Sequence, residues 1–198
     1  MRRVMNLLKS FAGKQISNIF ILSTGRCGST TFIHACQHIT NYTSAHESRT
    51  GFAGQTRLDY PSDHIEADNR LSWFLGRLDQ KYGNDAMYVH LLRDRSKVAI
   101  SYAKRLFPGG IIPAYRYGIY FPEPINTPIL SIAEDYVDTV NANIELFLKD
   151  KRNKMAFNLE NAKKDFREFW HFIGAQGDLE AALVEFDTRY NASEDSVS

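Results

Sequence analysis

Cysteine is scarce in this chain of 198 residues, which contains only Cys27 and Cys36. The two lie nine positions apart, and both are predicted to belong to a single unit of one loop and the helix that follows it. A disulfide at that spacing is geometrically awkward. Free thiols are typical of a reducing compartment, so a cytoplasmic location is expected and a framework of several disulfides is excluded.

Long apolar runs and an excess of one charge are absent as well. The stretch 1–14 is too short and too polar for a membrane span or a secretory segment, so no integral membrane segment is expected. Lys and Arg number 24 against 23 Asp and Glu, a net charge of +1. Proteins that bind nucleic acid through bulk electrostatics carry a basic excess. Nucleic acid is therefore not an expected partner, although one local anion site is compatible with this balance.

Metal ligands at a convincing spacing are also lacking. His34 and His38 are four residues apart, but they lack the glutamate and the context of a zinc metalloprotease motif. A shared helix face accounts for them, and no metal is expected.

The length and the 43% hydrophobic content suit one soluble domain with a sizeable core. The chain is predicted to form a single domain over 1–198, with an N-terminal extension over about 1–17 and a flexible tail over about 191–198. Strands are predicted near 19–22, 87–92 and 154–159, with a short second strand near 43–47. Helices are predicted near 29–39, 97–105, 129–150, 164–173 and 179–186, and 64–82 is expected to be partly helical. This alternation predicts an α/β fold of three layers around a central parallel sheet.

The most informative stretch is Asn18–Gln37, which predicts a buried strand, a small polar loop and a helix. A loop at this position places backbone N–H groups and the positive end of a helix dipole at one point, which makes an anion site. The candidate ligand-binding residues are Gly25, Arg26, Cys27, Gly28, Ser29, Thr30 and Thr31.

This loop is not a Walker A motif, because Gly25 and Gly28 are three apart and no lysine follows Gly28. ATP hydrolysis of the usual kind is therefore disfavoured, whereas a phosphate or sulfate ligand is not. The alternative is an ordinary connection from strand to helix with two turn glycines.

A second stretch has the same organisation. Met87–Leu92 predicts another buried strand, Arg93 stands at its end, and Ser101 follows eight residues later, about two helical turns on. Ligands of open α/β sheets bind at the carboxyl ends of the strands. Both stretches therefore direct polar residues to one edge of the sheet.

Together these stretches resemble the sulfotransferases that use 3′-phosphoadenylyl sulfate (PAPS). Their 5′-phosphosulfate loop carries a basic residue, a small residue, glycine and two hydroxyl residues, which Arg26–Thr31 matches. Their 3′-phosphate site is an arginine at a strand end and a serine eight residues on, which Arg93 and Ser101 match. The Gly- and Lys-rich C-terminal segment of the cytosolic branch is not found here. The resemblance is therefore closer to the carbohydrate and tyrosyl branch.

The resemblance implies PAPS as donor co-substrate, no metal, and an acceptor hydroxyl on a small molecule or glycan. It assigns Arg26 to the oxygens where negative charge grows during transfer. Glu47 is the expected general base by similarity to the carbohydrate branch, and His46 is the reserve. Since neighbours on a strand point to opposite faces, at most one of the two is expected to face the donor.

Other interpretations stay open. A P-loop-like kinase or phosphotransferase, or a non-catalytic module that binds 3′-phosphoadenosine nucleotides, would use the same loop. Glu66 is interpreted either as an acceptor contact or as part of a solvated helix start. Arg105 belongs either to a solvated basic face or, with Arg116, to an acceptor wall. The aromatic residues of that wall, which a hydrophobic flap packed on the core would explain equally well, are Tyr115, Tyr117, Tyr120 and Phe121.

Overall fold

The computed structural model describes residues 16–120 and 126–188. Its five strands form one sheet in the order β2-β3-β1-β4-β5, and every neighbouring pair is parallel. The strands are β1 Asn18–Leu22, β2 Thr43–His46, β3 His64–Ala67, β4 Met87–Leu92 and β5 Lys154–Asn158. The predicted α/β fold with a central parallel sheet is confirmed.

Among the described residues, seven α-helices accompany the strands: α1 Ser29–Cys36, α2 Leu75–Tyr82, α3 Arg95–Ala103, α4 Ile111–Ala114, α5 Ile129–Leu148, α6 Ala162–Phe172 and α7 Leu179–Val184. A π-helical turn, Tyr115–Ile119, follows α4, and short 3₁₀ turns include Gly54–Leu58, Asn69–Trp73 and Leu159–Asn161. Within the two described ranges no helix is long and apolar enough to cross a membrane. Apart from residues 16 and 17, the predicted N-terminal extension lies outside the described residues, as does the predicted tail over 191–198.

The central strand β1 is buried on both faces, as its continuous apolar run predicts. On one face, the ring of Phe20 packs 4.8–5.9 Å from three tyrosine rings, those of Tyr60, Tyr82 and Tyr88. On the other face, Phe32 of α1 packs 5.0–5.4 Å from the rings of Phe157, Phe166 and Phe169. The two aromatic clusters hold helices on both faces of the sheet, which gives the three layers.

The segment 64–82 is partly helical as predicted, over Leu75–Tyr82, but the sequence does not predict the strand β3. The segment 64–67 is a fully buried strand between β1 and β2, not part of a solvated helix start. Glu66 is 0% exposed. Its carboxylate accepts bonds from Ser48 N at 2.8 Å, Ser48 Oγ at 2.6 Å and His64 Nε2 at 3.1 Å. These partners, which no local pattern reveals, make a buried carboxylate tolerable.

The sheet has its topological switch point between β1 and β4. The chain leaves β1 through α1, which packs on β2 and β3, whereas it leaves β4 through α3 and α5 on the way to β5. Such a switch point opens a crevice at the carboxyl ends of the two strands. The candidate site lies there.

Candidate functional site

The loop after β1 has an unusual backbone held by buried tyrosines. Gly25, Arg26 and Gly28 have φ angles of 84°, 60° and 86°, in the left-handed region. The carbonyl of Thr24 accepts hydrogen bonds from two tyrosine hydroxyls, that of Tyr102 at 2.6 Å and that of Tyr136 at 2.8 Å. The loop is therefore fixed from α3 and α5 before any ligand binds.

Both loop glycines are required by close approach as well as by backbone conformation. A Cβ on Gly25 would lie 2.2 Å from the Tyr102 hydroxyl, and one on Gly28 would lie 2.7 Å from Leu159 Cδ1. The positive φ adds strain for any L side chain. A methyl group at Gly25 requires the loop or the Tyr102 ring to shift, and one at Gly28 requires the Leu159 side chain to move as well as a strained backbone.

Gly25→Ala is expected to displace the loop and to weaken by about tenfold or more the binding of the nucleotide that the family resemblance implies, tested as adenosine 3′,5′-bisphosphate, since loop strain of order 1–3 kcal/mol accompanies the clash. Gly76→Ala, in α2 with open space around its Cβ, is the matched control and should bind as wild type. Calorimetric titration measures both. Equal affinity of the Gly25 variant and wild type would contradict the close fit.

Helix α1 begins directly after the loop and presents its N-terminus to the crevice. Its first turn carries no acidic residue, and its first internal bond runs from Phe32 N to Gly28 O at 3.0 Å. The preceding N–H groups have no partner inside a helix and favour an anion. Ser29 Oγ lies 2.9 Å from His46 Nε2, so the end of β2 reaches the start of α1.

Three of the predicted residues, Arg26, Arg93 and Ser101, meet at the carboxyl ends of β1 and β4. Arg26 Nε donates to Ser101 Oγ at 3.1 Å, and Arg93 Nη1 donates to the Arg26 carbonyl at 3.0 Å. Burial lowers the pKa of Arg26, and so do the positive charges of Arg105 and Arg93. Residues 75 and 67 positions apart are thus brought into direct contact.

Arg93 forms no ion pair with its neighbour Asp94. Asp94 instead accepts from Lys97 N at 2.8 Å and caps α3. In the part of the chain that the structure describes, no carboxylate lies within ion-pair distance of Arg93. Its guanidinium therefore stays available to an anion in the crevice.

The two candidate bases point to different partners. His46 ends β2 and contacts Ser29, whereas Glu47 leaves the strand with φ 52°. Glu47 Oε2 accepts from Arg70 Nη1 at 2.9 Å, and both side chains are partly exposed. The backbone N–H of Glu47 still donates to Ala67 O at 3.0 Å. Both residues lie at the same edge of the sheet as the loop.

The sequence does not identify Arg70, or Asp68 that holds its backbone, as part of the site. Asp68 directly follows β3, accepts from Arg70 N at 2.8 Å, and forms a buried ion pair with Arg57. Burial raises the pKa of Asp68, and the Arg57 charge opposes that shift. Recognising β3 would have placed 68–70 at the carboxyl edge and made them candidates.

The predicted acceptor wall divides into packed and exposed members. Tyr115 is buried, and its hydroxyl donates to Asp135 Oδ2 at 2.6 Å; the Tyr120 hydroxyl bonds the same oxygen. The Tyr115 ring also packs 5.4 Å from that of Tyr136. Tyr115 and Tyr120 thus form a flap on α5, whereas Tyr117 is 58% exposed. Phe121 lies outside the described residues.

The two thiols are buried and unpaired. Cys27 Sγ lies 3.2 Å from Thr24 Oγ1, and burial raises the pKa of the thiol to about 11. Such a thiol is a poor nucleophile, so Cys27 acts as a small residue that packs beneath the loop. Across residues 16–120 and 126–188, no group of three or more His, Cys, Asp or Glu side chains could hold a metal ion.

The fold is similar to that of a sulfotransferase of known structure. The chain is similar to the crystal structure of mouse sulfotransferase SULT7A1 complexed with PAP, with a TM-score of 0.55 and 15% sequence identity. The similarity covers 97% of this chain and 72% of that one. A scan against family models and a search of curated proteins find no match. The chain therefore has a sulfotransferase-like fold, and the closer resemblance to the carbohydrate and tyrosyl branch stays a prediction.

Proposed function

We propose that this protein is a sulfotransferase that moves a sulfuryl group from PAPS to an acceptor hydroxyl. The observation that carries the proposal is the convergence of Arg26, Arg93 and Ser101 beside the N-terminus of α1. Two sequence motifs expected to bind the two ends of one nucleotide lie at the switch point of a fold that a PAP-bound sulfotransferase shares.

The two ends of the donor would be bound by different elements. The 5′-phosphosulfate lies on the loop and the start of α1, where Gly28 permits close backbone approach and Ser29, Thr30 and Thr31 add hydroxyl donors. The 3′-phosphate lies on Arg93 and Ser101, which offer a charged fork and a hydroxyl. Arg26 belongs to the loop and bonds to Ser101, so its guanidinium lies near both regions.

The transfer step needs little covalent work from the protein. The acceptor oxygen bonds to sulfur as the bond from sulfur to the bridging oxygen breaks, and adenosine 3′,5′-bisphosphate leaves. Arg26 stabilises the charge that grows on the leaving oxygen. Glu47, or His46 in reserve, takes the acceptor proton. Catalysis is then mostly positioning and electrostatic stabilisation, as in phosphoryl transfer.

The acceptor in this proposal is a carbohydrate hydroxyl. The exposed ring of Tyr117, with the Arg116 guanidinium 5.5 Å from its centre, offers an apolar face for a sugar and a positive charge for an acidic one. A cytoplasmic location also belongs to the proposal, and the two unpaired thiols support it.

Donor binding is the first test of this function. We expect calorimetry to show adenosine 3′,5′-bisphosphate binding more tightly than AMP or ATP. Arg93→Ala should lower bisphosphate affinity by roughly 10- to 100-fold and remove the preference over AMP, because a charge-assisted hydrogen bond is worth about 1.5–3 kcal/mol. Arg152→Ala, an exposed arginine before β5 at the opposite edge of the sheet, is the control.

Two results would redirect the proposal. Equal or tighter binding of ATP, with magnesium-dependent turnover, would favour a kinase. Preference for the bisphosphate without transfer to any member of a broad acceptor panel would favour a binding module.

A further inference from the structure

Arg105 lies just beyond α3, on the side of the helix that carries Ser101. The helical hydrogen bonding continues past Ala103, since Lys104 N bonds to Ile100 O at 3.3 Å and Arg105 N to Tyr102 O at 2.9 Å. Residues four apart on such a backbone lie one above the other. Arg105 therefore follows Ser101 on the same face of the chain.

The Arg105 side chain is partly buried at this end of α3. Its Nε is buried and has no hydrogen-bond acceptor among the described residues. Within the same residues it makes no ion pair with a carboxylate. Buried donors in folded proteins are nearly always paired, so this one indicates an acceptor that binds from outside. A solvated basic face, which the sequence pattern favours, does not account for a buried Nε.

Arg105 also belongs to a group of three arginines. Its charge and that of Arg93 both act on Arg26, and Arg105 has the larger effect. Arg93 and Arg26 are in contact through the Arg26 carbonyl. Gathering three like charges at the half-buried end of two strands is unfavourable unless an anion joins them. A phosphate monoester suits this place, because it carries nearly two negative charges and three terminal oxygens.

We propose that Arg105 is a third cation of the donor site and binds the 3′-phosphate together with Arg93 and Ser101. This inference rests on the proposed function, and it concerns a residue that the family motifs do not include. The 3′-phosphate, not the phosphosulfate, is its partner because Arg105 shares the face of Ser101, whereas the phosphosulfate lies on the loop and on α1.

The experiment compares ligands that differ only in the 3′-phosphate. Adenosine 3′,5′-bisphosphate and AMP are titrated calorimetrically into wild type, Arg105→Gln, Arg105→Lys and Lys104→Gln. Lys104 is the adjacent exposed cation, so its variant controls for the general loss of one charge. We expect Arg105→Gln to lower bisphosphate affinity roughly 10- to 100-fold and AMP affinity less than about twofold. Arg105→Lys should recover part of the loss, and Lys104→Gln should match wild type.

Thermal unfolding of the free variants separates binding from folding. Removing an unpaired buried donor costs no internal hydrogen bond, so Arg105→Gln should unfold at or above the wild-type temperature. If wild type prefers the bisphosphate and Arg105→Gln keeps that preference, or loses affinity for both ligands alike, the role of Arg105 is wrong and the proposed function stands. If wild type itself shows no preference, the proposed function fails and this inference fails with it.

Discussion

Replacing Arg26 by methionine is expected to lower kcat for sulfuryl transfer by about 10²- to 10³-fold. Removing one preorganised group that stabilises a developing charge typically costs this much. Arg26 is half-buried between the loop and α3 and is held by Ser101 Oγ at 3.1 Å, so its guanidinium is positioned before the donor arrives. Turnover is measured as release of adenosine 3′,5′-bisphosphate from PAPS with the best acceptor from a saccharide panel.

The choice of methionine and two companion variants make the Arg26 result interpretable. Methionine keeps a Cβ at the same φ of 60°, so loop strain is common to variant and wild type. Arg26→Lys, which keeps the positive charge, should retain much of the activity. Arg152→Met, at the far edge of the sheet, should have no effect. Full turnover by Arg26→Met would rule out the role given to this arginine, whatever the affinity for the donor.

The parts of the fold that sequence predicts well are those with a strong local signal. β1 is largely a continuous apolar run, β4 is apolar apart from His90, and α5 has a sustained apolar stripe. The positions of these three elements therefore follow from burial alone. The proximity of Arg26 to Arg93 follows from one topological rule, because both stand at carboxyl ends of parallel strands. That rule needs no knowledge of the intervening 66 residues.

The features that sequence does not predict depend on tertiary partners. β3 contains one large apolar residue, Ile65, beside His64 and Glu66. These two polar groups are acceptable inside the sheet because they bond to each other, to Thr43 and to Ser48. Because the sequence does not predict β3, it also does not place Arg70, which follows that strand, at the site. The direction of the Glu47 side chain is not predicted from the sequence either. Side chains alternate between the two faces along β2 as far as His46, and the positive φ of Glu47 breaks that alternation.

The identity of the general base is the second prediction with a large effect. Glu47→Gln is expected to lower kcat by about 10²- to 10⁴-fold, the usual contribution of a positioned base. Glutamine keeps the size of the side chain and an oxygen that can accept from Arg70 Nη1, now 2.9 Å from Glu47 Oε2. Donor affinity should therefore stay near that of wild type, and the loss should fall on the chemical step.

His46→Gln tests the reserve base under the same assay. His46 contacts Ser29 at 2.9 Å at the start of α1, so losing this contact should raise KM for PAPS while leaving kcat within about tenfold, less than a base contributes. Glu168→Gln, on the exposed side of α6, is the control for loss of a carboxylate. A severe fall in kcat for His46→Gln with near-normal Glu47→Gln would exchange the two roles. In that case Ser29 would orient the imidazole, and the pair of Arg70 with Glu47 would serve to hold the loop that follows β2.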